Sequence, residues 1–171
     1  MYRNKKGFTL IEIIISMAIF SIVMIAIYSF FLTNYKSLNR VSLEAEIQSQ
    51  AQVAMDKITN IAMESSDVVI RTEGTDGKID KSTEYIKLSK NAVINYTFTV
   101  DDNKLMLATI DNGTDKGKTQ IADCVEYIIC KEISIGDSGT KVIGIEIEMA
   151  FEKGIKEGVD KVVKNEIYFR N

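Results

Sequence analysis

The chain has 171 residues and a formal charge of -3, and hydrophobic residues make up 46% of it. It contains no histidine, which removes the commonest general base and argues against catalytic triads and most transition-metal sites. The acidic balance argues against autonomous binding to a phosphate backbone, so we expect no enzyme, no cofactor, no metal and no direct contact with nucleic acid.

An apolar run of membrane length extends from Phe8 to Leu32. At about 1.5 Å per residue, a helix of this length crosses the roughly 30 Å hydrocarbon layer. Arg3, Lys5 and Lys6 precede the run without any acid, which places the N-terminus in the cytoplasm. A secretory signal peptide would have a shorter apolar core followed by a small-x-small cleavage site. We therefore predict a single-pass cytoplasmic membrane protein whose C-terminal domain lies outside.

One carboxylate, Glu12, lies inside this run. A charged side chain at the bilayer centre costs roughly 2.5 to 3.5 kcal/mol on insertion scales, so an acid here indicates a partner or a function. Glu12 follows Phe8 by four residues, which puts both on one helical face, one turn apart. The alternative is a signal anchor whose glutamate pairs with another membrane protein.

Around this acid, the segment Lys5-Lys6-Gly7-Phe8-Thr9-Leu10-Ile11-Glu12 resembles the cleavage and methylation motif of type IV prepilins and pseudopilins. In that family the prepilin peptidase cleaves after the glycine on the cytoplasmic side and methylates the new N-terminal amine. The resemblance implies cleavage between Gly7 and Phe8, methylation of Phe8, and leader recognition through the three basic residues. It also implies that Glu12 meets the N-terminal amine of a neighbouring subunit, a pairing that stabilises both charges at low dielectric.

The helix is predicted to continue beyond the membrane, because residues 33–64 contain neither proline nor glycine. Family members often carry a proline near the middle of the apolar helix; this chain has none and shows Ser29 and Phe30 there, which excludes a proline kink. One apolar stripe is predicted to pack on a sheet: Ile47, Ala51, Ala54, Ile58, Ile61 and Ala62. A polar row is either solvated or in contact with adjacent subunits: Gln48, Gln52, Asp56 and Asn60.

The rest of the chain changes from a period of 3.6 to a period of 2 and predicts strands. Their approximate ranges are 67–72, 84–89, 92–100, 104–111, 124–135, 141–152 and 159–169. Asp101-Asp102-Asn103 is a hairpin turn signal. The fold class is therefore α+β, with a long N-terminal helix packed on a C-terminal antiparallel sheet, the lollipop architecture that the resemblance also implies.

Two local patterns in this β-rich part have competing interpretations. Cys124 and Cys130 would lie about 20 Å apart on one extended strand, which favours free thiols, whereas a tight turn between them would permit the disulfide that family members often carry. The acids of the segment 111–117 have part of the spacing of a calcium loop. The glycine is displaced and no late glutamate follows, so a surface turn is favoured.

We expect a cytoplasmic leader at 1–7, a transmembrane and filament-core helix at 8–32, a soluble helical part at 33–65 and an extracytoplasmic β-rich domain at 66–171. Met17-Ala18-Ile19-Phe20, Gln48-Ser49-Gln50-Ala51-Gln52 and the helix exit from Ile58 to Val69 resemble minor pseudopilins of the J or W kind. The expected partners are the prepilin peptidase, other pilin or pseudopilin subunits, the inner-membrane assembly platform and the cytoplasmic membrane.

The resemblance predicts a structural subunit of a type IV pilus or a type II secretion-like pseudopilus, which ends at the cell surface. Two other functions stay open. The domain could be a ligand-binding adhesin or a DNA-uptake (competence) pseudopilin, or the chain could be a membrane-anchored receptor that never assembles. Exposed clusters of aromatic or basic loop residues would favour binding, and the sequence shows only scattered lysines.

Overall fold

The computed structural model describes residues 7–73, 77–91, 93–135, 141–153 and 159–170. Within these ranges one helix precedes nine strands. Their bounds are α1 Leu10–Met63, β1 Asp67–Arg71, β2 Lys78–Ile79, β3 Tyr85–Lys90, β4 Ile94–Asp101, β5 Lys104–Asp111, β6 Thr114–Ala122, β7 Val125–Ile135, β8 Lys141–Lys153 and β9 Val159–Tyr168. The chain divides after Ser42 into two compact units.

Helix α1 is continuous from Leu10 to Met63, as the absence of proline and glycine predicted. In its C-terminal part the whole predicted apolar stripe is buried, together with Met55, which the pattern had not marked. The predicted polar row is exposed on the other face. The helix ends where the Ser65 hydroxyl donates a hydrogen bond of 2.7 Å to the Ile61 carbonyl oxygen.

The strands form two antiparallel sheets. The first sheet has the order β1-β3-β4-β5-β6 and the second has the order β2-β7-β8-β9. Alternate residues of both sheets point into one core that they share with the buried stripe of α1, including Phe98 of the first sheet and Phe151 of the second. The predicted α+β class is confirmed: one long N-terminal helix packs on a C-terminal antiparallel β domain.

All seven predicted strands are present, with ends displaced by at most two residues. The predicted start of β4 at residue 92 falls outside the described residues. Two strands were missed, the two-residue β2 and the edge strand β6. Strand β6 is exposed on both faces from Thr114 to Gln120, so it has no alternation of apolar and polar residues that a pattern could detect.

Two-residue turns close both hairpins of the first sheet that follow β4. Asp102 and Asn103 have φ values of 50° and 57°, and the flanking residues pair, which confirms the predicted turn. Asn112 and Gly113, with φ values of 50° and 76°, repeat this conformation between β5 and β6. Positive φ at both central residues is the property of the turn type whose twist suits antiparallel strands.

Glycine is required at one position in the second sheet. Gly144 of β8 pairs with Tyr168 of β9, and a Cβ atom at Gly144 would collide with the backbone carbonyl oxygen of Ile167. Ile167 is 1% exposed and belongs to the core. The missing side chain therefore lets β9 lie close enough to β8 to insert Ile167.

Candidate processing and assembly site

The N-terminal part of the described chain begins as a short non-helical segment. Gly7, Phe8 and Thr9 precede α1, and all three are exposed. The Gly7–Phe8 peptide bond therefore lies outside the hydrogen-bonded helix. The basic residues Arg3 and Lys5 and their neighbour Lys6 lie outside the described residues.

The fold itself does not require a glycine at position 7. A Cβ atom there would meet nothing within 4 Å, and Gly7 does not have a left-handed backbone conformation. This contrasts with Gly144, where the neighbouring backbone excludes any side chain. A requirement for glycine at position 7 would therefore have to be imposed by another molecule that binds this segment.

Glu12 forms a capping box with Thr9 at the start of α1. One of its carboxylate oxygens, Oε2, accepts the Thr9 backbone N–H at 2.7 Å and the Thr9 hydroxyl at 2.8 Å. The Thr9 hydroxyl oxygen in turn accepts the Glu12 backbone N–H at 3.4 Å. This reciprocal arrangement satisfies donors that the first turn of a helix otherwise leaves unpaired.

Sequence reasoning singled out Glu12 for its charge and missed its bond to Thr9. The signal was present, because Thr9-Leu10-Ile11-Glu12 fits the capping-box pattern that precedes an apolar run. The other carboxylate oxygen, Oε1, makes no hydrogen bond within the part of the chain that the structure describes. Glu12 thus combines an intrachain role with unused capacity for a further donor.

Two serines of the apolar run satisfy their hydroxyls along the helix. The hydroxyls of Ser16 and Ser21 donate to the carbonyl oxygens of Glu12 and Met17, at 2.7 and 2.8 Å. Such bonds to the preceding turn let a hydroxyl lie in an apolar environment without an unpaired donor. The remaining surface is strongly apolar, with Phe30 72% exposed.

The stretch of α1 from Leu10 to Leu32 therefore has a surface that suits lipid or other helices rather than water. Helix α1 is the one helix of the described chain that is long and apolar enough to cross a membrane. A shallow apolar groove on it is lined by Phe8, Ile13, Ser16, Met17, Phe20 and Ser21. In the described chain no group of three metal-ligating side chains comes together.

The remaining sequence candidates lie in the second unit. In the segment 111–117, Asp111 pairs with Lys116 at 2.6 Å and Asp115 accepts the backbone N–H of Gly117 at 2.8 Å, so the favoured surface turn is present. Cys124 and Cys130 are both free, as predicted. Burial, together with the negative charge of Glu132, raises the pKa of the Cys130 thiol to about 12.

A comparison with protein families decides what this N-terminus is. Residues 2–28 match the prokaryotic N-terminal methylation motif. The chain carries the type IV pilin and pseudopilin signature. That signature implies processing by the prepilin peptidase and assembly with other pilin subunits. No curated protein matches the chain, and residues 29–171 lie beyond the part that the pilin signature covers.

Proposed function

We propose that this protein is a structural subunit of a type IV pilus or of a type II secretion-like pseudopilus. The observation that carries the proposal is the signature at residues 2–28 on a helix whose apolar side chains are exposed from Leu10 to Leu32. A helix that is apolar all round needs a bilayer or a bundle around it. Membrane insertion before assembly and packing among other helices after it would supply both surroundings.

Processing is the first step of the proposed function. The peptidase would cleave between Gly7 and Phe8 and methylate the Phe8 amine, after the leader has been recognised through Arg3, Lys5 and Lys6. The exposed, non-helical backbone at Gly7 and the absence of any need for glycine in the fold support a requirement imposed by the peptidase.

The test is the intact mass of the protein recovered from cells that contain its peptidase. We expect a chain that begins at Phe8 and carries one added methyl group. Gly7→Val should leave the precursor uncleaved, whereas Thr9→Ser, which keeps the capping hydroxyl, should be processed like the wild type. Recovery of a native chain that still begins at Met1 would contradict the proposal.

Assembly is the second step. The free oxygen of the Glu12 carboxylate would accept a hydrogen bond from the methylated Phe8 ammonium of a neighbouring subunit. The other oxygen would keep the capping hydrogen bonds to Thr9. A carboxylate and an ammonium stabilise each other strongly where water is excluded. The inner-membrane assembly platform would draw residues 8–32 out of the cytoplasmic membrane into the filament core, leaving 33–65 and 66–171 outside.

The position of the subunit in the filament belongs to the proposal as well. The resemblance to minor pseudopilins around Phe20 and Gln48–Gln52 supports a minor subunit that initiates or caps the filament. Quantitative mass spectrometry of sheared filaments measures this directly. A minor subunit would be present at a small fraction of the most abundant pilin, whereas a repeating subunit would dominate the fraction.

A further inference from the structure

Two charged residues flank the membrane-length part of α1. Lys36 is the first charged residue after Glu12, and it follows Glu12 by 24 positions. Because α1 is continuous between them, a rise of about 1.5 Å per residue separates their Cα atoms by about 36 Å along the helix axis. A hydrocarbon layer is roughly 30 Å thick, so both residues can lie just outside it, in opposite headgroup layers. A tilt of about 20° leaves about 34 Å, which is still sufficient.

The apolar run alone would give the helix a different depth. That run, 8–32, is centred on Phe20, whereas the midpoint between Glu12 and Lys36 is Met24. A bilayer centred on Phe20 would place Glu12 about 12 Å from the centre, inside the hydrocarbon, and Lys36 about 24 Å from it, beyond the headgroups. A bilayer centred on Met24 places each charged residue about 18 Å from the centre, within a headgroup layer.

The side chains that change surroundings between these two depths favour the centre at Met24. The change exchanges three apolar side chains at the inner edge for two at the outer edge: Leu10, Ile11 and Ile13 leave the hydrocarbon, and Phe31 and Leu32 enter it. It also takes the Glu12 carboxylate out of the hydrocarbon. On insertion scales a central charge costs several times what one apolar side chain contributes, so the removal of the charge outweighs the net loss of one apolar side chain.

Polar side chains near the outer edge are compatible with this depth. The Thr33 hydroxyl donates to the Ser29 carbonyl oxygen at 3.0 Å, and the Asn34 side-chain amide donates to the Phe30 carbonyl oxygen at 2.8 Å. Bonds to the preceding turn lower the cost of holding such groups at the edge of the hydrocarbon. Tyr28 lies inside the hydrocarbon at both depths, so it does not distinguish them.

An aromatic and apolar surface continues past this edge. Tyr35 stacks on Phe31 with ring centroids 6.5 Å apart and is 57% exposed, and Leu38 is 68% exposed. With the centre at Met24, Tyr35 and Leu38 both lie within the outer headgroup layer, where aromatic rings are enriched. With the centre at Phe20, Leu38 would lie about 27 Å from the centre, in water.

We infer that the bilayer is centred on Met24 before assembly, with the Lys36 ammonium among the phosphates of the outer leaflet and the Glu12 carboxylate among the hydrated headgroups of the inner leaflet. The inference rests on the proposed function, because it assigns the surroundings of a subunit that has not yet joined a filament. Lysine side chains near helix ends reach the interface in this way. Glu12 therefore loses its water only when the subunit is drawn outward, and a neighbouring ammonium then has to replace it.

The first test uses the lack of tryptophan in the chain. Full-length, uncleaved chains with one substitution, Phe20→Trp, Met24→Trp or Tyr28→Trp, are reconstituted at low protein density in phosphatidylcholine vesicles. Lipids brominated near the chain end or near the headgroup quench tryptophan according to its depth. We expect the strongest chain-end quenching at position 24 and equal quenching at positions 20 and 28, which lie about 6 Å on either side of it.

The outcomes separate this inference from the proposed function. Strongest chain-end quenching at position 20 would overturn the inference and leave the proposed function intact, because the chain would still span the bilayer. No quenching at any of the three positions would overturn both. In a fourth variant, Tyr35→Trp, lipids brominated near the headgroup should quench. Absence of that quenching would place this surface in water or against another chain, and would also overturn the inference.

The second test removes the charge that sets the depth. With Glu12→Leu added to the variants at positions 20 and 28, the bilayer should centre on the apolar run, so chain-end quenching at position 20 should exceed that at position 28. Ser16→Leu is the matched control, since Ser16 lies in the hydrocarbon at both depths and its replacement should leave the two positions equal. Equal quenching after Glu12→Leu would refute the role of this carboxylate in setting the depth.

Discussion

Glu84 is a buried carboxylate that no sequence pattern singled out. It is 1% exposed, and its two oxygens accept the backbone N–H groups of Glu73 at 2.8 Å and Asp80 at 3.1 Å. Burial raises the pKa of Glu84, but these donors, together with the charge of Lys81, outweigh it and hold the pKa below the ordinary glutamate value. The ionised carboxylate therefore holds the backbone at Glu73 and Asp80, and protonation weakens this link.

We predict that Glu84→Gln lowers the free energy of unfolding by about 1 to 3 kcal/mol at neutral pH, since one oxygen becomes an amide that cannot accept its backbone donor. Because the folded pKa lies below the unfolded one, the stabilisation is complete above about pH 5 and is lost as the pH falls through the folded pKa. Thermal unfolding of the full chain in detergent, at neutral and acidic pH, measures this.

The control for that prediction is Glu64→Gln. Glu64 pairs with Lys90 at 2.7 Å on the surface, and the hydrogen bond from Lys90 lowers its pKa too. Water and salt screen exposed pairs of this kind, so the control should change stability much less. Equal losses in both variants would show that burial gives Glu84 no special weight.

Glu12 has two roles that substitutions can separate. Glu12→Gln keeps an oxygen that can accept the Thr9 donors but removes the charge, whereas Thr9→Ala removes the capping hydroxyl and keeps the charge. If the charge pairs with a neighbouring ammonium, Glu12→Gln should insert and be cleaved normally but be strongly depleted from sheared filaments. Thr9→Ala should assemble. Immunoblots of membrane and filament fractions give the answer, and filament loss in Thr9→Ala alone would assign assembly to the cap.

At the scale of elements, sequence patterns predicted the longer elements that have one buried face and missed the two-residue β2 and the strand β6, which is exposed on both faces from Thr114 to Gln120. All six predicted members of the stripe from Ile47 to Ala62 are buried because each meets the same core, and Met55 joins them unpredicted. Strand β6 was invisible, since its pairing with β5 comes from backbone bonds and from the turn at Asn112 and Gly113 rather than from apolar side chains. The Asn-Gly pair was the one local signal that could have revealed it.

We predict that Gly144→Ala destabilises the second sheet, because the new methyl group would meet the Ile167 carbonyl oxygen. Overpacking of this kind typically costs about 1 to 3 kcal/mol. Gly7→Ala is the matched control, since open space surrounds that position and stability should not change. Urea unfolding of the uncleaved full chains in detergent compares the two variants. Equal urea midpoints would mean that β8 and β9 move apart to admit the methyl group at no cost in stability.

At the scale of the whole molecule, the first residues of the sequence indicated a function, and the remaining residues indicated the architecture. Gly7, Phe8 and Glu12 could be marked as candidates because the pilin signature is a local pattern of residues adjacent in the chain. Cross-strand neighbours could not, because residues such as Val69 and Lys87, or Glu146 and Glu166, come together only through strand pairing. The residues that share one surface of a sheet cannot be predicted until the register of its strands is known.

The orientation of the whole chain in the membrane can also be predicted, with the N-terminus inside and the β domain outside. Protease added to intact spheroplasts should remove the β domain at 66–171 and leave a protected fragment containing the apolar run at 8–32. The positive charges before the run favour retention of the N-terminus inside. A control protease treatment after membrane lysis should remove the leader as well. Protection of the β domain in intact spheroplasts would contradict the topology.

The two unpaired thiols have a consequence for where this protein can fold. Cys124 and Cys130 are the chain's full complement of cysteine, and both are free. Cohesion of the β domain therefore comes from side-chain packing and strand pairing, without covalent closure. A cell that exports this chain does not have to supply an oxidant or an isomerase to complete it. The finished domain should keep its melting temperature when dithiothreitol is added, because the reductant finds no disulfide to break.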